Sequence, residues 1–272
     1  MTACGIRRGL FLTSPEWLDI LHNIHFPDTK DSIWLHAVYI PGLMQELDNL
    51  TIDTSSSAGR PPTIDVPALR ELYRRTKALD TALDKWQTDF LGFKGEFGLH
   101  WSSISHGPAA DPFFPRIEFA TVCAAQCTML YWTFKLLLAI LTTDISAQIR
   151  TSDEFQPPMS SFTSTPSTYS SPPAPILTTS YDNNDTPIRY ANWICRAIPY
   201  FIQTPDLSSM TMYNCLSWPL RISWQWFVKQ SVKNDVYKEK AAWCAEISRQ
   251  LRGQPLGKRG EFVVDYACGV PG

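Results

Sequence analysis

The sequence has no CxxC pair, no HxxxH pair and no glycine-rich phosphate loop of the GxxxxGK or GxGxxG kind. Each absence removes a chemistry. A tetrahedral zinc ion needs ligands gathered by short spacings, and a nucleotide's phosphates need closely spaced glycines whose backbone N–H groups can reach them. There is also no GxSxG turn, so the exposed serine of a hydrolase elbow is missing. Basic residues are short of clusters. Arg7-Arg8, Arg74-Arg75 and Lys258-Arg259 read as solvated surface, and the net charge of -2 offers no general attraction to a polyanion.

Seven cysteines spread from Cys4 to Cys268 are odd in number and too sparse for the disulfide framework of a small secreted protein. Met1 to Leu12 lacks the apolar stretch of a signal-peptide core, so the expectation is an intracellular chain with reduced thiols. Cys123 and Cys127 share a helix face without a third ligand, and Cys195, Cys215 and Cys244 fall one in each later helix. All read as core thiols packing as small hydrophobes. His22, His25 and His36 read as surface or hydrogen-bonded histidines, and Trp101 to Gly107, with its serines beside His106, as a loop. Neither catalytic nor metal-binding residues are identified, no cofactor is expected, and the chain is read as not an enzyme.

What is present is apolar and aromatic. Hydrophobic residues make up 44% of 272 positions against 18% charged, with ten tryptophans, enough to build a large core. The periodicity is helical throughout, and the expected fold is all-α: one multi-helix globular domain with a long Ser/Thr/Pro-rich insertion. Residues 1–150 form its first part, 151–185 the insertion and 186–272 its later helices. From Pro67 to Phe90, Leu69, Leu72, Tyr73, Leu79, Leu83, Trp86 and Phe90 recur at three- and four-residue steps, an apolar stripe. The opposite side carries Arg70, Glu71, Arg74, Arg75, Lys77, Asp80, Asp84 and Lys85, read as a face turned to solvent. Before this helix, Ser14-Pro15-Glu16 signals a short helix start, Asp31 to Leu50 reads as one kinked helix or two short ones broken at Pro41-Gly42, and 51–62 reads as a loop.

Phe119 to Leu141 is long enough to cross a bilayer. Lys135 and Gln126 lie inside it, and a central lysine costs about 2.5 to 3.5 kcal/mol on insertion. A buried helix at the centre of the fold is therefore preferred to a membrane span, with the single-pass protein as the weaker alternative. The stretch 151–185 is dominated by Ser, Thr and Pro and is expected to be disordered, because it lacks apolar area to offset chain entropy. Helices are then expected over 187–203, 212–230 and 235–252. The last is capped by Asn234 or Asp235 and stopped at Gly253. Along the tail, Phe262, Val263 and Val264 find no second strand to pair with.

Large aromatic residues crowd two of the later helices. Trp193, Tyr200, Trp218, Trp224 and Trp226 are the candidate ligand or partner patch, with core packing the competing reading.

Four segments in order carry a family resemblance. They are Arg8 to Trp17 (RGLFLTSPEW), Ile40 to Asp48 (IPGLMQELD), Ala78 to Trp86 (ALDTALDKW), and Ala191 to Tyr200 (ANWICRAIPY) followed by Trp218-Pro219-Leu220. Together they resemble the region downstream of the zinc cluster in fungal binuclear zinc-cluster transcription factors. The six-cysteine DNA-binding cluster of that family and its basic linker are absent, so no DNA-contacting residue carries over. The resemblance implies the regulatory half of such a factor without its reader, either a truncated product or a partner acting by hetero-association. It further implies a nuclear location, a protein partner or the transcription machinery as target, and an inducer or other small molecule as a further ligand. A helical small-molecule sensor is the alternative reading.

Overall fold

The computed structural model describes residues 32–52, 65–93, 111–154, 185–204 and 209–253. These form seven helices and, among the described residues, no strand: α1 Ile33–Ala37, α2 Ile40–Ile52, α3 Val66–Phe93, α4 Val122–Glu154, α5 Asp185–Gln203, α6 Ser209–Ser231 and α7 Val236–Gly253. The all-α expectation holds for them. The expected first helix near Ser14, the resembling segment Arg8 to Trp17, His22, His25, the loop with His106, the tail after Gly253 and most of the insertion lie outside the described residues.

Asp31 to Leu50 resolves as two helices. The break falls at Val38 and Tyr39, just before Pro41, so the proline sits in the first turn of α2, where its missing N–H would have had no helical partner. The start of α3 is fixed by Asp65, whose Oδ1 accepts the Ala68 N–H at 3.0 Å, an N-cap. Thr121 caps α4 the same way, accepting from the Ala124 N–H at 3.1 Å. Of the two residues expected to cap α7, Asn234 accepts the Val236 N–H at 3.0 Å.

The long helix α4 is the centre, packed by α2, α3, α5 and α6. Trp132, Phe134, Leu136, Leu137 and Leu138 are all buried, as expected for a helix with almost no polar side. It begins at Val122, not Phe119, and continues to Glu154. The continuation corrects the insertion boundary. Leu141 and Ile145 extend the buried stripe, while Asp144 pairs with Lys229 of α6 at 2.7 Å and Gln148 donates to Thr51 Oγ1 at the end of α2 at 2.9 Å. Residues 151–154 are thus the last turn of α4, with the Thr151 and Ser152 hydroxyls donating back to the Gln148 carbonyl, one turn after the tertiary contact of Gln148.

The two C-terminal helices α6 and α7 form a closely packed hairpin that joins the rest through α5 and α4. Pro199 and Pro219 lie within α5 and α6. Each removes the N–H that would have bonded the carbonyl four residues earlier. Nearby, the 111–121 segment docks on α5: the Ile117 N–H donates to the Arg196 carbonyl at 3.0 Å, and the Arg196 guanidinium donates to the Pro115 carbonyl.

Candidate functional site

Among the described residues, the one buried ammonium sits where α3 crosses α4. Lys135 has only 5% of its side chain exposed, and a bare charge there would be costly. It is met by two carboxylates one helical turn apart on α3: Asp80, in direct contact, and Asp84 at 2.9 Å. The Tyr131 hydroxyl, one turn before Lys135, donates to Asp84 at 2.6 Å. Burial alone would lower the Lys135 pKa, but the hydrogen bonds from its ammonium to Asp80 and Asp84 outweigh it and hold the pKa above the ordinary lysine value. Burial and the bond to Asp84 push the Tyr131 hydroxyl upward as well. The α3 polar side is a solvent face at Arg70, Glu71, Arg74 and Lys85, which are exposed; the reading is corrected only where Asp80 and Asp84 serve Lys135 and Arg75 bonds to Glu46 of α2. The cluster is a charge-neutralising clasp between helices. Its groups are engaged with each other, an arrangement that suits structure rather than proton transfer to a substrate.

The five aromatic candidates separate by depth. Trp193, half-buried on α5, packs its ring 5.5 Å from both Trp132 and Tyr190, with the Arg189 guanidinium 5.1 Å above it, a cation–π contact. Tyr200 is half-buried, edge-on to Phe119 at 5.2 Å, and burial raises its pKa. Trp218 is buried against Phe134 at 5.6 Å, and Trp226 is buried too. Trp224 is 38% exposed. It lies on the opposite side of α6 with Tyr213 and Val228, and the apolar edge continues through Val232 to Val236 at the start of α7. The sequence places Trp218, Trp224 and Trp226 on one helix, but their angular spacing at 100° per residue sends Trp224 outward and the other two inward.

Beneath this edge, the indole N–H groups of Trp218 and Trp226 and the Ser223 hydroxyl are buried without an acceptor. Buried donors of this kind are uncommon in folded proteins. Cys195 and Cys244 meet at 3.5 Å between α5 and α7, and Cys215 accepts a weak bond from Gln126 at 3.4 Å. Among the described residues no group of three or more His, Cys, Asp or Glu side chains is placed to hold a metal ion. No protein-family model matches the chain, and neither the curated proteins nor the solved structures contain a match.

Proposed function

We propose that this chain is a non-catalytic transcription-regulatory domain of the fungal zinc-cluster type, acting by binding a protein partner rather than by reading DNA itself. The observation that carries the reading is positional. Ile40 to Asp48, Ala78 to Trp86, Ala191 to Tyr200 and Trp218-Pro219-Leu220, the described segments of the resemblance, fall within α2, α3, α5 and α6, the helices that enclose α4. They supply much of the frame of the domain. The exposed edge of α6, with Trp224 and Val228, is the natural place for the partner, because large aromatic anchors dominate protein interfaces. In this reading the protein works in the nucleus without a cofactor.

The test is titration of labelled duplex DNA with the purified full chain at low and high salt. Binding no stronger than that of an ordinary neutral protein is expected; tight binding with a steep salt dependence would overturn the reading.

A second reading, a helical sensor for a small molecule, is favoured by the buried donors of Trp218, Trp226 and Ser223. A ligand bearing acceptor oxygens would satisfy them. Its test is a thermal-shift screen against polar metabolites, where a concentration-dependent rise in Tm supports it and a flat response counts against it.

A further inference from the structure

The Sγ atoms of Cys195 on α5 and Cys244 on α7 lie 3.5 Å apart, and both residues are fully buried. We propose that this pair is a thiol–disulfide site that, on oxidation by a small-molecule disulfide, clamps α7 to α5.

Here two residues 49 positions apart bring their sulfurs into contact. A bond of about 2.05 Å needs a closure of about 1.5 Å, within reach of side-chain rotation and a small helix shift. Cys123 and Cys127 lie on one helix, and Cys215 is engaged by Gln126.

The position of α7 gives the bond a consequence. This helix packs chiefly on α6 and reaches α5 through the thiol pair and a 2.7 Å bond from Lys240 to the Asn192 side chain. A covalent link would tie the end of the hairpin to the body of the fold and remove freedom from the unfolded chain. Burial and the hydrogen bond to Cys195 raise the Cys244 pKa, with the Lys240 charge opposing them, so the closed pair is slow to react and attack begins when α7 opens locally.

The chemistry balances with glutathione disulfide as oxidant. The Cys244 thiolate attacks one sulfur of glutathione disulfide, forming a mixed disulfide and expelling one glutathione thiolate. When α7 closes, the Cys195 thiolate attacks the Cys244 sulfur, forming the protein disulfide and expelling the second. The two protons lost by the cysteines end on the two glutathione thiols, and the two electrons reduce the oxidant.

The test uses the full chain in native buffer, equilibrated with glutathione disulfide with and without low urea, then alkylated and digested with trypsin. Each cysteine falls in its own peptide, Tyr190 to Arg196 (YANWICR) and Ala241 to Arg249 (AAWCAEISR). These two joined are expected to be the dominant cross-link, reversible by dithiothreitol, with a rise in Tm of about 5 °C or more. Cys195→Ser is expected to leave Cys244 as a mixed disulfide with glutathione. Recovery of both wild-type peptides alkylated under either condition, or pairing of these cysteines with others as often as with each other, would overturn the proposal. So would a cross-link that leaves Tm unchanged, since α7 would then not be clamped.

Discussion

Lys135 Nζ lies 2.9 Å from Asp84 Oδ1, joining the long, largely apolar helix α4 to the charge-bearing helix α3. With Asp80 as second partner, the pairing makes the charge tolerable at depth, yet removing its two sides has unequal effects. Asp84 is half-exposed, so water can solvate it when the lysine is gone, whereas Lys135 has no such recourse. Lys135→Met keeps the stem and is expected to change stability by no more than about 1 kcal/mol. Asp80→Asn with Asp84→Asn strands the ammonium and should cost about 3 kcal/mol. Urea unfolding of the two variants checks the order; an equal or reversed ranking would refute it.

The same clasp sets the alkaline limit of the fold. Lys135 and Tyr131 both have folded pKa values raised above their ordinary values of 10.5 and 10.0. A raised folded value means the stabilisation is complete below the unfolded value and is lost as pH rises through the folded one. The half-buried thiol of Cys215 and the buried thiol of Cys244, raised from 9.0, start the decline earlier. Stability is therefore expected to fall above about pH 9 and more steeply above about pH 10. In Lys135→Met/Tyr131→Phe the steeper part should flatten, as read by urea midpoints across pH 8 to 11.

Phe113 also joins two helices. Its ring lies 5.6 Å from Phe227 of α6 and 4.8 Å from Trp243 of α7, and its N–H is held by Asp111 at 2.9 Å. Phe113→Ala is expected to cost about 3 to 5 kcal/mol. Trp224→Ala, on the exposed edge, should stay within about 0.5 kcal/mol. Thermal and urea unfolding distinguish the two, and a large cost at Trp224 would contradict its outward placement.

Among the described residues one helix, Val122–Ser152 within α4, is long and apolar enough to cross a membrane. Most of its most apolar window is buried by the other helices, and Lys135 is neutralised by α3. The full chain is expected to partition into the aqueous phase of a Triton X-114 separation. Recovery in the detergent phase would mean that α4 leaves its neighbours for lipid.

Much of this fold was legible in periodicity. Leu69, Leu72, Leu83 and Trp86 face the core as their spacing demands, and the scarcity of polar residues over Phe119 to Leu141 marks that stretch as central. Pairings across the chain were not. Asp80 and Asp84 are carboxylates one turn apart on a charged face, and nothing local distinguishes them from their solvated neighbours until α4 brings Lys135 against them. Cys195 and Cys244 have no shared local pattern for the same reason. Trp224 was grouped with Trp218 and Trp226 by proximity along the chain, although helical phase alone sends it to the other side. Asp65, two residues before Pro67, is a residue type that caps helices, and α3 starts directly after it at Val66.

The most direct test of the regulatory reading is a reporter experiment. The full chain is fused to a heterologous DNA-binding module and placed at a promoter carrying that module's site, in fungal cells, with folding of the fusion checked by circular dichroism. The reading predicts reporter output several-fold above or below that of the module alone, with the change lost in Trp224→Ala/Val228→Ala. Output indistinguishable from the module alone, from a folded and nuclear fusion, would contradict it.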